Sequence, residues 1–400
     1  MWEAKGSKMK IKLDLIKVIM VCFTFYEPSI IPHNIFLLIK YLVILWIMTS
    51  YLYEMKTDRI ILAGVLGYGG INILSSVYNG MAFNTIVASV FYTFQILAVF
   101  LVSKGIIKKY GISQYIEWLF GYFICICFLT DVSMLFIGYD YSNPAEIYLI
   151  GNKFVISYVH CFTVALAFAR IGEKENRTLV SNWKVAISKE GILRKAIAYM
   201  IAILTILICV KVTCSTGIVI SLLLLVLMLL PNWMIDALSS GKIMIIGVLM
   251  INILMFGSYS LLTNPYLLDF VQNVLGKSGN FTGRTQIWAI IFEQIMKKPI
   301  LGYGYYNDVI NNLLGYGNPQ NGILKCLLDT GILGLIAYAF MVLKSFNRNT
   351  NDVKCETRPL IAFFLVMLVA SLVEINLTHM LMFLTMAMIS FSVKRERCVR

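Results

Sequence analysis

The chain is poor in charge. Asp, Glu, Lys and Arg make up 14% of its 400 residues, whereas hydrophobic residues make up 59% and the mean hydropathy is +0.79. A soluble protein would carry about 25% charged residues. The shortage excludes an ordinary soluble domain, and apolar stretches of about 20 residues, the length that crosses a bilayer core, recur along the chain. We therefore expect residues 1–400 to form a single polytopic membrane domain.

Patterned cysteines and a cleavage site are also lacking. The nine cysteines are odd in number and contain no Cys-x-x-Cys pair, which disfavours a disulfide framework or a zinc site. The basic start, MWEAKGSKMKIKLDLIK, is followed by no small-residue cleavage site, so we expect a retained first helix. The histidines are His33, His160 and His379, and each is more often structural than catalytic in such positions.

Hydropathy predicts an all-α integral membrane protein with about twelve transmembrane helices. The predicted helices lie near residues 13–27, 35–53, 60–78, 83–103, 114–137, 153–170, 196–213, 217–235, 243–262, 322–343, 359–377 and 380–393.

The basic residues set the orientation. With both termini in the cytoplasm, the predicted inner segments carry 26 of the 34 lysines and arginines, as the positive-inside rule requires. Most of the net charge of +13 is thus explained by the orientation of the chain in the membrane. The basic residues are not gathered on one soluble face, so we expect no nucleic acid as a partner. Residues 263–321 become a large extracytoplasmic loop.

Eight cations remain outside the inner segments: Lys40, Lys153, Lys211, Lys277, Arg284, Lys297, Lys298 and Lys325. Snorkelling to the membrane surface would account for Lys297 and Lys298. Lys153, Lys211 and Arg284 adjoin predicted outer helix ends, where retained positive charge suggests an anionic ligand such as a lipid-linked phosphate or diphosphate.

The large outer loop contains a predicted amphipathic helix from about Gly283 to Lys298, which would lie in the membrane interface. Arg284 and Trp288 are four residues apart and share one face near its start. A helix N-terminus favours phosphate, and the arginine fork matches phosphate oxygens. An arginine that only anchors the helix is an equally good interpretation.

Polar and glycine residues follow this helix. Gly302-Tyr303-Gly304 permits a tight turn, and the amides of Asn318, Gln320 and Asn321 stand at the mouth of the tenth helix. Amides suit sugar hydroxyls, although helix caps are as plausible. Asp329, inside that helix, should be paired, in a wet cavity or protonated.

The segments RTQIW, PILGYG and QNGILKCLLDTGILG, in this order, resemble the O-antigen ligase and polymerase superfamily of bacterial envelopes. GNKFVISY at residues 151–158 is similar to a segment of polysaccharide repeat-unit polymerases. The resemblance implies a metal-independent glycosyltransferase without a cofactor in the bacterial plasma (inner) membrane. It would move a growing glycan from undecaprenyl diphosphate onto another lipid-linked repeat unit at the outer face.

On this resemblance, Arg284 and Gln320 are the expected catalytic residues. The expected substrate-binding residues are Lys153, Lys211, Trp288, Tyr303, Asn318 and Asn321. No metal site is expected, because no Asp-x-Asp motif occurs in an outer loop.

Two departures from the family pattern leave the general base open. Many relatives have histidine where this chain has Gln320, and an arginine where Lys211 is the nearest cation. Carboxylates on the predicted outer side are Asp140, Glu146, Asp269, Asp308 and Glu374.

Other functions remain possible. An O-antigen ligase would transfer finished polymer to a different acceptor. A flippase for lipid-linked oligosaccharide should show two related halves, which the chain lacks, and a scaffold would not need outer cations. A polymerase would share its pathway with a chain-length regulator and a flippase.

Overall fold

The computed structural model describes residues 2–56, 59–141, 143, 146–179, 189–257, 284–315, 319–346 and 355–392. In chain order the α-helices among them are α1 Trp2–Phe23, α2 His33–Tyr51, α3 Arg59–Tyr78, α4 Phe83–Tyr110, α5 Ile112–Phe136, α6 Lys153–Leu179, α7 Lys189–Lys211, α8 Ser215–Leu229, α9 Asn232–Leu238, α10 Gly241–Gly257, α11 Arg284–Lys297, α12 Val309–Leu314, α13 Gly322–Ser345, α14 Arg358–Ala370 and α15 Met380–Phe391.

The predicted fold class is confirmed: the chain is an all-α, multi-pass membrane protein. In the part of the chain that the structure describes, seven helices are long and apolar enough to cross a membrane, or eight if α8 and α9 form one bent span. Every predicted segment falls on a helix, but α10, α14 and α15 are short. The total of twelve spans and the cytoplasmic position of both termini stay predictions.

Two predicted segments end differently from expectation. The segment 217–235 is broken between α8 and α9, which meet at 119°, because Pro231 precedes α9 and its backbone has no N–H to continue a helix. The segment 359–377 stops at Ala370. The polar stretch 371–379 then forms a loop before α15.

The ion pairs between helix ends distinguish the two ends of the bundle. At one end, ion pairs join Lys109 to Asp14 at 2.7 Å and Arg170 to Glu117 at 2.8 Å. These residues lie in or beside the predicted cytoplasmic segments. The opposite end carries the predicted outer residues, and we refer to it as the outer end.

Helix α15 lies at the centre. Met380 to Ile389 are all buried, as expected for a helix that is hydrophobic all round. Its twelve residues span only about 18 Å at 1.5 Å per residue. The loop before it, residues 371–379, therefore lies within the outer half of the bundle and forms the floor on which neighbouring helix ends meet.

The amphipathic helix predicted over 283–298 is α11, whereas residues 258–283 lie outside the described part. Ile287, Trp288, Ile291 and Ile295 are buried in a cluster with residues of α13. Met296 on another face is 76% exposed. The apolar stripe thus fastens α11 to the bundle, and the exposed apolar side chains suit contact with lipid.

Candidate functional site

Helix α13 is broken near its middle. Gly331 has φ 62° and ψ −165°, which are not helical values. A break of this kind frees backbone carbonyls before it and amides after it. In an apolar environment those groups need partners, since each costs several kcal/mol when left unsatisfied.

Residues 299–304, the docking segment, supply these partners. The amide of Tyr303 donates to the carbonyl of Leu328 at 2.7 Å, and that of Gly304 donates to Asp329 at 3.0 Å. In return, the amides of Ile332 and Leu333 donate to the carbonyls of Pro299 and Ile300 at 2.8 and 3.3 Å. The motifs PILGYG and DTG are therefore each other's binding partners.

Glycine is needed where the two backbones meet. A Cβ on Gly331 would overlap the carbonyl of Ile300, and one on Gly302 would overlap that of Leu328. Both glycines have left-handed φ values, 62° and 66°, which favour glycine. The hydroxyl of Ser75 in α3 donates to the carbonyls of Leu301 and Asp329, so α3 fixes the junction from a third side.

The docking segment leads into a polar group at the outer end. Lys325 pairs with Asp329 at 2.7 Å, and the amide of Asn307 donates to the same carboxylate oxygen at 2.8 Å. Tyr305 stacks on Tyr92 with ring centroids 5.1 Å apart. The sequence left Asp329 paired, in a wet cavity or protonated; of these alternatives the structure displays the pairing with Lys325.

The start of α13 is tied to the floor loop 371–379. Asn321 is fully buried and caps α13 by accepting from the amide of Leu324 at 3.0 Å. Its Nδ2 donates to Asn252 in α10 at 2.8 Å and to the carbonyl of Leu372 at 3.0 Å. Of the two roles left open by the sequence, the structure displays the cap. Binding of sugar by Asn321 stays a prediction.

A second polar group lies where α6, α7 and α8 reach the floor loop. Thr216 donates to Glu374 at 3.0 Å, and Glu374 is only 5% exposed. Burial raises the pKa of the neighbouring Cys214 thiol, while the charges of Glu374 and Lys153 act on it in opposite directions. Lys153 is half-buried, and the described residues offer its ammonium group neither a hydrogen bond nor an ion pair. A half-buried cation of this kind is suited to an anion.

His379 closes the floor loop as the cap of α15, where its Nδ1 accepts from the amide of Leu381 at 3.4 Å. Its ring packs on Tyr26 and Tyr158 at 5.7 and 5.5 Å. Burial lowers the pKa of His379 to about 4. The imidazole is therefore neutral at pH 7, and the proton resides on Nε2 because Nδ1 acts as an acceptor.

The remaining predicted residues occupy different surroundings. Lys211 is exposed, with Nζ 5.4 Å from the ring centre of Tyr141, near the α6 end that bears Lys153. Trp288 is buried against Phe256, and its indole N–H has no hydrogen-bond partner within the described ranges. Tyr303 is half-buried and donates to the carbonyl of Gln294 at 3.0 Å.

Gln320 is half-buried, with a left-handed φ of 50°. A side-chain residue in this region is strained, and the position directly precedes the cap Asn321. Asn318 and the side chain of Arg284 lie outside the described residues. Convergence of Arg284 with Lys153 and Lys211 on one pocket therefore stays a prediction.

Two cavities lie at the opposite end of the bundle. One, of about 250 Å³, is bordered by Arg170 and Arg194, and the other, of about 220 Å³, by Lys195 and Arg358. Arg170 and Arg358 are paired with Glu117 and Asp236. Neither cavity reaches the outer residues. In the described part of the chain, no group of three or more His, Cys, Asp and Glu side chains could hold a metal ion.

Sequence reasoning missed Asn307, Thr216 and Ser75, because each acts on a residue far away in the chain.

Comparison with known proteins identifies the part of the chain that is shared with them. Residues 200–339 match a family model described as O-antigen ligase. This stretch contains α11, the docking segment and the break at Gly331.

Two curated relatives match a shorter stretch. A putative polysaccharide ligase of Rickettsia felis is 30% identical over 100 residues, which cover 22% of this chain and 24% of the relative. A putative polysaccharide ligase of Rickettsia conorii is 29% identical over 97 residues, 21% of this chain and 24% of the relative. The chain thus matches about a quarter of each relative's length. These findings confirm the resemblance to the O-antigen ligase and polymerase superfamily.

Proposed function

We propose that the protein is a membrane glycosyltransferase that moves a glycan from undecaprenyl diphosphate onto an acceptor glycan at the outer face of the bacterial plasma membrane. The observation that carries the proposal is Lys153, a half-buried cation with no ion pair in the described ranges. Lys153 and the buried Glu374 both act electrostatically on Cys214, and the later part of the chain, residues 200–339, matches the O-antigen ligase family model.

The chemistry explains why outer cations would be needed. The bond between the sugar C1 and a diphosphate oxygen breaks, a bond forms between C1 and an acceptor hydroxyl oxygen, and the hydroxyl proton leaves. Negative charge develops on the departing diphosphate, and fixed cations stabilise that transition state. Lys153, Lys211 and Arg284 are the proposed cations, and no metal ion is required for this role.

Ligase and polymerase differ only in the acceptor. Transfer of finished polymer by a ligase is supported by the family description and by the names of both relatives. Polymerisation is supported by GNKFVISY at residues 151–158, the start of α6, which resembles repeat-unit polymerases and contains Lys153. The ligase rests on longer matches, and we place it first. A polymerase would work alongside a chain-length regulator and a flippase.

Deletion of the gene in its host tests the function and separates the two forms. Unattached polymer would identify a ligase, and a single attached repeat unit would identify a polymerase. An unchanged surface glycan would contradict the proposal. Complementation with Lys153→Ala should fail to restore the glycan at normal membrane levels. Lys297→Ala is the matched control, because Lys297 is exposed and already paired with Glu293 at 2.8 Å.

A further inference from the structure

We propose that Tyr306, Asn307, Lys325 and Asp329 form a subsite for an uncharged sugar ring of the acceptor glycan, separate from the place where the diphosphate binds. The inference rests on the proposed glycosyl transfer, because it identifies the substrate part that this surface would hold. Four observations support it: an aromatic ring presented to the outside, unused polar atoms beside it, no net charge, and a rigid support.

Tyr306 presents the aromatic face. Its side chain is 69% exposed although its backbone is in the left-handed region at φ 51°, a conformation that costs energy for a residue with a side chain. The ring of Tyr305 meets it edge-on at 4.5 Å, and Tyr305 in turn stacks on Tyr92 of α4. This aromatic column fixes the ring of Tyr306 at the surface.

The polar atoms lie at the base of this column. Asn307 donates to the carbonyl of Gly304 at 2.9 Å and to Asp329 Oδ1 at 2.8 Å. Both amide protons of Asn307 are thereby used, whereas its Oδ1 accepts no hydrogen bond from the residues that the structure describes. Asp329 Oδ1 also accepts from Lys325, so within the described residues Oδ2 is the carboxylate oxygen without a partner. These two acceptor atoms and the remaining protons of the Lys325 ammonium group match the hydroxyls of a sugar.

The charge of the group favours a neutral ligand. Lys325 and Asp329 are one cation and one anion 2.7 Å apart, and their side chains are 20% and 15% exposed. Their charges cancel, so the group offers no net attraction to a diphosphate, unlike Lys153. A sugar of the acceptor that is remote from any phosphate suits these surroundings, because its ring faces can stack on tyrosine and its hydroxyls can bond to the paired charges.

The support of the subsite is rigid. Asp329 lies two residues before the break of α13 at Gly331, and Gly304 belongs to the docking segment that fills that break. Tyr305 is held by its amide, which donates to Ser76 in α3 at 3.0 Å. Three elements that are distant in sequence therefore fix the subsite, and a preorganised site of this kind loses little entropy when a sugar binds.

Saturation-transfer NMR on the solubilised full-length protein tests the subsite directly. The probes are methyl glycosides of the sugars found in the host's own surface glycan. We expect transfer to the ring protons of at least one glycoside in the wild type. Tyr306→Phe keeps the ring and should retain the signal, whereas Tyr306→Leu should weaken apparent binding by roughly three- to tenfold, the size of one aromatic contact. Asp329→Asn should weaken binding as well.

Tyr78→Leu is the matched control. Tyr78 is 73% exposed at the outer end of α3, so its replacement should leave glycoside binding unchanged. The proposal would be overturned if the wild type gave no transfer with any glycoside, or if Tyr306→Leu and Tyr78→Leu behaved alike. The second result would make Tyr306 an ordinary interfacial tyrosine.

The outcome can be separated from that of the proposed function. Arg284→Ala should strongly reduce glycan transfer while leaving glycoside binding intact, because the two sites hold different parts of the substrates. If deletion leaves the surface glycan unchanged but glycosides still bind at Tyr306, the transferase proposal fails and the subsite stands. If transfer is lost on deletion but Tyr306→Leu binds normally, the subsite alone is wrong.

Discussion

Replacing Gly302 with alanine should detach the docking segment from α13. The new Cβ would overlap the carbonyl oxygen of Leu328 and lie 2.8 Å from the amide nitrogen of Gly331. Both atoms are backbone, so no flexible side chain can yield. The alanine would also have to adopt a φ of 66°, which costs roughly 1–2 kcal/mol for a residue with a Cβ.

The larger cost comes from the hydrogen bonds that the overlap would break. The amides of Tyr303 and Gly304 donate to Leu328 and Asp329, and each bond left unmade in an apolar environment costs about 1–3 kcal/mol. The two bonds together are therefore worth roughly 2–6 kcal/mol. This exceeds the backbone cost of the left-handed conformation, so the clash decides the result.

Gly80→Ala is the control that isolates the clash. Gly80 has a φ of 61°, nearly that of Gly302, but a Cβ there would meet nothing within 4 Å. Hydrogen exchange followed by mass spectrometry measures the opening of residues 299–304 and 328–333. A loss of 2 kcal/mol should accelerate their exchange about thirtyfold in Gly302→Ala. Equal exchange in the two variants would refute the role assigned to the junction.

Arg284→Ala should lower glycan transfer about a hundred- to thousandfold, since one lost donor to developing charge typically costs ~2.7–4 kcal/mol, and Arg284→Lys should also be impaired because the bidentate fork is lost. Glycan gels measure the transfer, with membrane levels of each variant checked by blot. A wild-type ladder from Arg284→Ala would contradict the prediction. Burial lowers the pKa of His379 to about 4, below the ~6.5 of an exposed histidine. As the pH drops, the unfolded state therefore takes up a proton before the folded state does. The free energy of unfolding should fall by up to about 3 kcal/mol between about pH 6.5 and about pH 4. His379→Asn keeps a capping side chain and should flatten the dependence of Tm on pH over this range, whereas an unaltered slope would refute the assignment. In a background without native cysteines, Asn280→Cys should react with an impermeant reagent in intact cells and Asn182→Cys only after lysis; the reverse pattern would overturn the orientation and the outer location of the site.

The parts of the site that depend on local signals could be predicted from sequence. The helix predicted over 283–298 is observed as Arg284–Lys297, because Pro299 stops it and an apolar stripe defines its buried face. For Asp329 the sequence could predict that an isolated charge in an apolar helix would be costly, but it left pairing, a wet cavity and protonation as alternatives.

The break in α13 could not be predicted in this way. Asp329-Thr330-Gly331 lies inside an apolar run that a hydropathy pattern assigns to an uninterrupted helix. The reason for the break is the docking segment, which lies about thirty residues earlier and fills it with four backbone hydrogen bonds. The same applies to Lys153: its predicted outer position follows from the charge pattern, but the lack of an ion pair within the described residues depends on how α6 packs against α8 and the floor loop.

The mutual binding of the two motifs alters which of their residues should be tested for chemistry. Gly302 and Gly331 are required because a Cβ on either would overlap a backbone carbonyl. The backbone amides and carbonyls next to them are already hydrogen-bonded between the docking segment and α13. Loss of activity on changing these glycines would therefore report on position, not on contact with substrate. The side chains of Asn307 and Asp329 lie beside the junction, and within the described residues each keeps one oxygen that accepts no hydrogen bond. Specificity for the sugar should depend on these residues, while the glycines hold the scaffold that presents them.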